Sequence, residues 1–152
     1  MLKAVHYINQ FFGQVGGEES ADFEPVLQEG PVGPGLLLNE AMKEVRITHT
    51  VICGDNFMAS HPEEAVARIL KMLDGLKFDI FLAGPAFNAG RYGVACGTIC
   101  KSVKEKFGVP VITSMNEENP AVEMFKSHMY IFKGGRRATY MKQDVEKMAA
   151  FA

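Results

Sequence analysis

The densest collection of binding chemistry in the chain is Gly84-Pro-Ala-Phe-Asn-Ala-Gly-Arg-Tyr-Gly93. Arg91 carries a planar guanidinium that can pair with a carboxylate through two parallel hydrogen bonds. Asn88 offers an amide to a polar group, and Gly84, Gly90 and Gly93 allow backbone to approach a ligand closely. An apolar run at 78–83 precedes the stretch and a segment with helical spacing follows it. Strand, small-residue loop and helix start is the order in which α/β domains turn backbone N–H groups toward an anion. At a subunit surface Arg91 would only form a salt bridge, since arginine is common at interfaces; both readings stand.

A second cluster gathers if the first two strands are parallel and adjacent. Their carboxyl ends would bring His6, Asn9 and Gln10 to the same edge as Cys53, Asp55 and Asn56, and ligands of parallel sheets bind at such edges. His6 has the intrinsic pKa for acid–base work, but its place inside a strand-like run favours a structural histidine. Phe11, Phe12, Phe57 and Phe87 could present faces to a methylated ammonium or simply pack. Glu18 and Glu19, like Glu117 and Glu118, could neutralise an amine, although solvated turns are the usual place for glutamate. Arg136 and Arg137 follow Gly134-Gly135 and, with Lys133 and Lys142 close by, read as a solvated basic face and only a secondary anion site.

The three thiols point away from metal and redox chemistry. Cys53, Cys96 and Cys100 make neither an even secreted framework nor paired CxxC elements. Cys96 and Cys100 share a helix stripe at a spacing poorly suited to a disulfide, so all three read as reduced, small packing residues. No metal set and no catalytic residue is assigned within the chain.

The elements that would position these groups alternate. Short runs at 4–8, 48–53, 79–83, 109–114 and 129–132 are β-branched or apolar strand candidates. Between them, Ala65, Val66, Ile69, Leu70 and Leu73 mark one helix, with Ser60 expected as its N-cap, Pro62 at its first turn and Glu63 as a capping-box acid. Cys96, Ile99, Cys100, Val103 and Phe107 mark a second helix, expected to stop at Gly108. Asn119-Pro120 opens a short third, and Met141, Val145, Met148 and Ala149 mark the last. Strands separated by helices predict an α/β fold: a three-layer α/β/α sandwich around a mostly parallel, Rossmann-like sheet of about five strands.

Residues 11–33 break this economy. Gly13, Gly16, Gly17, Gly30, Gly33, Pro25 and Pro31 make the stretch too broken for a central element and too long for an ordinary connection. A lid, a binding loop or a partner-facing surface built on Phe11, Phe12, Gly16, Gly17 and Glu18 is the expectation; a plain insertion is the alternative.

At 152 residues and 47% apolar side chains, the chain supports a single α/β domain over 1–152. A net charge of −2 provides no polycationic face for nonspecific nucleic-acid binding. The start is too short in apolar residues for a signal peptide and no stretch is long enough to span a membrane, so a cytoplasmic protein is expected.

Five blocks carry a family likeness: HYINQFFGQVGGEE at 6–19, EGPVGPG at 29–35, TVICGDNF at 50–57, AGPAFNAGRYGVACG at 83–97 and EENP at 117–120. In that order they resemble the N-terminal part of the selenoprotein B subunit of glycine, sarcosine and betaine reductases, most like the betaine or sarcosine branch. The resemblance implies a component of a selenium-dependent complex that reductively cleaves the C–N bond of an amino acid. Such a complex yields an amine and, through partner subunits, acetyl phosphate. It also implies a pyruvoyl-containing partner subunit, a small selenoprotein A, and a selenocysteine in a later region that nothing in this chain matches. The chain therefore reads as an N-terminal fragment of a longer subunit, inactive alone, with Arg91, Asn88, Gly84, Gly90, Gly93, Asn56 and His6 as its substrate-binding candidates. Two other classes remain: an assembly domain at a reductase interface that binds the pyruvoyl partner or another copy of itself, and a small-anion-binding α/β module. No GxGxxG follows the first strand and no GxxxxGK[ST] is present, so the usual nucleotide fingerprints are missing.

Overall fold

A computed structural model describes residues 1–151. Six strands form one sheet in the order β2-β3-β1-β4-β5-β6, with β1 at Leu2–Ile8, β2 at Val26–Glu29, β3 at Val45–Ile52, β4 at Ile80–Ala83, β5 at Val111–Met115 and β6 at Ile131–Lys133. Every neighbouring pair is parallel except β2 and β3, which run antiparallel. The helices are α1 (Pro34–Ala41), α2 (Asp55–Ser60), α3 (Pro62–Asp74), α4 (Gly90–Phe107), α5 (Ala121–Phe125) and α6 (Met141–Phe151).

Side-chain alternation along the strands splits the apolar residues into two cores. Val5, Tyr7, Val51, Phe81, Ala83 and Met115 point into one, where Ile69 and Leu73 of α3, Ile99 and Val103 of α4 and Phe125 of α5 are buried. Ala4, Ile47, Ile80, Leu82, Ile112 and Phe132 point into the other, against Leu38 of α1 and Val145 and Met148 of α6. Strands buried on both faces need continuous apolar runs, and the fully buried Ile-Phe-Leu-Ala of β4 is such a run. Each large side chain so buried contributes about 1.5–3 kcal/mol.

Five strands were expected and six are present; the extra one, β2, lies inside the stretch read as a long loop. Its four residues survive as an edge strand because Val26 to Glu29 pair with Ile52 to His49, in spite of the prolines and glycines around them. The same stretch holds a 3₁₀ turn at Glu18–Ser20. The α3 helix forms as its stripe predicts, but its N-cap is His61, without a side-chain capping bond. Ser60 instead ends α2, its hydroxyl 3.5 Å from Asn56 Oδ1. Two helices abut there, and a serine beside a proline looks the same at the end of one as at the start of the next. Gly108 ends α4 in the left-handed conformation, φ 68°, as expected.

Strand order reverses direction between β1 and β4: the chain steps from β1 outward to β3, then crosses to β4 on the other side. The carboxyl ends of β1 and β4 therefore flank a crevice, the place where open parallel sheets receive ligands.

Candidate functional site

After β1 the chain turns on Asn9 and Gln10, both buried. Asn9 Nδ2 donates to Asp55 Oδ2 at 2.9 Å, and Asn9 Oδ1 accepts from the Phe12 amide at 2.9 Å. Gln10 Oε1 accepts the Asp55 backbone N–H at 3.0 Å, and its own carbonyl accepts from Val15 and Gly16. Adjacent β1 and β3 thus lock their exits together, as the parallel pairing requires. The tie leaves Asp55 Oδ1 buried without a partner among the described residues. Burial raises the Asp55 pKa above the ordinary carboxylate range, and the Asn9 bond opposes the rise.

The loop after β4 is held from the other side. Gly84 and Phe87 both have positive φ, 86° and 54°; the first is natural for glycine, while the second is a strained conformation for a phenylalanine. The Ala86 amide donates to Ser114 O at 2.8 Å, Asn116 N donates to Phe87 O at 2.8 Å, and Asn88 N donates to Arg136 O at 3.3 Å. Buried Asn119 completes the frame, its Nδ2 donating to Phe87 O at 3.1 Å and Ala89 O at 3.0 Å. This over-determination is what keeps Phe87 in place.

Between the two loops lies an open cavity of about 430 Å³. Asn9, Gln10, Asp55 and Tyr92 line it from the core side, Phe11, Phe12 and Phe87 supply aromatic walls, and Gly17, Glu18, Asn88, Arg136 and Arg137 stand around it. The rings are contiguous: Phe12 lies 5.2 Å from Phe11, 5.9 Å from Phe87 and 5.7 Å from Tyr92, stacked on the last. Tyr92 is fully buried; burial raises its pKa well above the phenol range, helped by its neighbours Cys96 and Asp55 and opposed by the Asn9 backbone. Arg136 pairs with Glu118. Arg137 is exposed and has no carboxylate partner among the described residues.

The candidates named from sequence divide. Asn88, Phe11, Phe12, Gly17 and Glu18 meet in this cavity, with Asn9, Gln10, Asp55 and Phe87. Arg91 does not line it. Its guanidinium closes on Glu18 at 2.5 Å and borders a separate apolar groove with Met58, Pro62, Val94 and Thr98. Gly93 is pressed against the Asn119 side chain, and Gly90 faces only the Pro120 ring, so of the three glycines Gly84 alone has the backbone freedom the loop needs. Gly16 is closed in by Ser20 and Glu19. Asn56 binds Asp22 on the outer side of α2.

His6 lies under the β4 loop rather than in the cavity. It is fully buried, its Nε2 donates to Gly84 O at 2.7 Å, and its Nδ1 faces Gly35 and has no hydrogen-bond partner among the described residues. Burial lowers its pKa to about 4, against the small rise from the Gly84 bond, so the ring is neutral and structural. The thiols are buried and unpaired: burial pushes Cys53 up to about 12 and raises Cys96 and Cys100 far above the thiol range.

One cavity residue, Tyr92, lies outside the sequence reading, and another, Arg137, is there only a secondary anion site. Tyr92 sits next to Arg91, but one helical step of 100° turns it inward while Arg91 turns out. Arg137 was discounted with its basic neighbours; only the fold of 134–138 against the β4 loop brings it to the rim.

Three of the five sequence blocks that carried the family likeness, 6–19, 50–57 and 83–97, contribute residues to this cavity, and comparison with known proteins agrees with the likeness. The family model for the glycine/sarcosine/betaine reductase selenoprotein B matches residues 1–152. The chain belongs to this family. It is 59% identical over 152 residues to the betaine reductase complex component B subunit beta of Peptoclostridium acidaminophilum, covering all of this chain and 35% of that one. It is 50% identical over 150 residues to the glycine reductase complex component B subunit gamma of Carboxydothermus hydrogenoformans, covering 98% and 34%. With the sarcosine reductase complex component B subunit beta of Peptoclostridium acidaminophilum it shares 47% identity over 149 residues, covering 97% and 34%. The chain spans about a third of the length of these curated relatives. No solved structure matches it. Among the described residues no helix is long and apolar enough to cross a membrane.

Proposed function

We propose that this chain is the N-terminal part of the B component of a selenium-dependent glycine, sarcosine or betaine reductase, and that it contributes the binding of a small amino acid or its N-methylated form. The observation that carries the reading is the cavity at the β1/β4 crevice, where a buried carboxylate, four contiguous aromatic rings and a free guanidinium converge. Aromatic faces and a carboxylate attract an organic cation, and a guanidinium attracts a carboxylate. Relatives named as betaine, glycine and sarcosine reductase components support the substrate class. In this reading the sheet is a three-layer, Rossmann-like scaffold, supported by the separate cores on its two faces, and the buried, unpaired thiols support a cytoplasmic place.

The selenolate and the pyruvoyl group of the proposed reaction do not fit residues of this chain. Its three thiols are shielded and held protonated, so none can serve as the attacking nucleophile. Those groups belong to the remainder of the complex, a pyruvoyl-containing subunit and a small selenoprotein A among its proposed partners. This chain binds and orients; it does not cleave.

A second reading is favoured by the Arg91–Glu18 pair, which fastens the loop after β1 to α4 and leaves Phe11 60% exposed beside the cavity. An assembly domain would use such a surface against another subunit. Calorimetric titration of the folded chain with glycine, sarcosine and betaine, with Arg91→Ala as the paired control, separates the two. Saturable binding of at least one ligand supports substrate recognition. No binding by the folded wild type supports the assembly reading.

A further inference from the structure

The cavity carries more positive and negative groups than it leaves free, and cancelling its internal pairs exposes a polarity. Glu18 is consumed by Arg91 and Arg136 by Glu118. Among the described residues that line the cavity, what remains is one carboxylate and one guanidinium. Asp55 follows β3 and enters from the left of the crevice as the strand order is written; Arg137 follows β6 and enters from the right. Asp55 is 7% exposed, with one oxygen bound by Asn9 and the other without a donor among the described residues, and its charge helps to raise the pKa of the buried Tyr92 phenol. Tyr92 in turn is stacked with Phe12. Tyr92 is fully buried, so the rings that wall the cavity beside Asp55 are those of Phe11 and Phe12; a negative charge in an aromatic-walled cavity suits a cation that needs little hydrogen bonding, such as an alkylated amine. Arg137, free and solvated, suits an anion whose other end has already been fixed.

We infer that the cavity is a two-pole site in which Asp55, beside the aromatic walls of Phe11 and Phe12, takes the cationic amine of a small zwitterion and Arg137 takes its carboxylate. The inference rests on the reading of the chain as an amino-acid-binding component and adds the orientation of the ligand and the residue at each pole. It moves the carboxylate contact from Arg91, the obvious arginine in the sequence, to Arg137. The amine end lies toward the core and the carboxylate toward the open rim. Asp55 acts chiefly through its charge, because Oδ1 is shielded; methylation of the amine therefore costs the ligand no hydrogen bond there.

The polarity is tested by taking each pole off the ligand. Betaine is titrated beside choline, which keeps the quaternary amine without the carboxylate, and 3,3-dimethylbutanoate, which keeps the carboxylate on a neutral isostere. Glycine is titrated beside ethylamine and propionate in the same way. Arg137→Gln is expected to weaken each zwitterion that binds, and its amine-free analogue, by tenfold or more, while leaving the carboxylate-free analogue within twofold. Asp55→Asn is expected to give the opposite pattern. Thermal melting of both variants precedes the titrations; Arg137 is exposed, so its variant remains informative even if Asp55→Asn fails to fold. Wild-type protein that binds none of glycine, sarcosine and betaine overturns the amino-acid reading itself. Wild-type binding that Arg137→Gln leaves unchanged, or weakens equally for all analogues, overturns the two-pole assignment alone.

Discussion

The side chain of Asn119 fills the space that a side chain at Gly93 would need: a Cβ there would stand 2.5 Å from both Asn119 Nδ2 and Oδ1. The same amide holds the carbonyls of Phe87 and Ala89, so helix α4, the β4 loop and the start of α5 meet at one point. Gly93→Ala is expected to displace Asn119 and lower stability by about 1–3 kcal/mol, the usual cost of overpacking. Denaturant unfolding measures it. A neutral or stabilising effect would mean that the loop can relax without the Asn119 frame.

His6 gives the fold a pH dependence with a definite sign. Its folded pKa is about 4 against an ordinary 6.5, so between those values the unfolded chain binds a proton that the folded chain refuses. The stability His6 permits is complete above pH 6.5 and falls as pH drops toward 4, by about 3 kcal/mol in all. Asp55 and Asp144 act in the opposite sense, because burial raises both and acid relieves their cost. The measurable quantity is therefore the difference between wild type and His6→Gln in unfolding free energy, which is expected to narrow as pH falls through this window. A difference independent of pH would show that the ring is solvated.

The Arg91–Glu18 pair tethers a loop more than it stabilises a fold. Its side chains are 41% and 75% exposed, and exposed pairs contribute about 1 kcal/mol or less. Arg91→Ala is expected to leave global stability nearly unchanged while speeding amide hydrogen exchange in 10–20. Global destabilisation of several kcal/mol, or unchanged exchange, would contradict the tether.

Cys53, Cys96 and Cys100 are buried with raised pKa values, and the thiolate is the reactive form. Native protein is expected to resist thiol alkylation at neutral pH and to expose three reactive thiols only on unfolding. Rapid labelling of one cysteine in the native state would place that residue at a surface.

Elements with strong internal periodicity were legible in the sequence because their burial is decided locally. The stripe Ala65, Ile69, Leu73 and the stop at Gly108 are examples. Strand β2 was not, since four residues among prolines and glycines become a strand only when β3 offers its edge. The cavity was half legible for the same reason. The strand exits at Asn9, Gln10 and Asp55 follow from parallel pairing, and Asn88 from the strand–loop–helix pattern. Choosing between Arg91 and Tyr92 requires the phase of α4, and weighing Arg137 requires the bond from Asn88 N to Arg136 O, which joins segments far apart in sequence.

The central claim is that the cavity between the β1 and β4 loops receives a small amino acid or betaine, and its most direct test is an NMR titration of the isotopically labelled chain with glycine, sarcosine and betaine. Saturable shifts concentrated at Asn9, Gln10, Asp55, Asn88, Tyr92 and Arg137, abolished by Asn88→Trp at the rim, are the expected result. Saturable shifts confined to the groove beside Arg91, or a folded chain whose spectrum none of the three ligands changes, would contradict it.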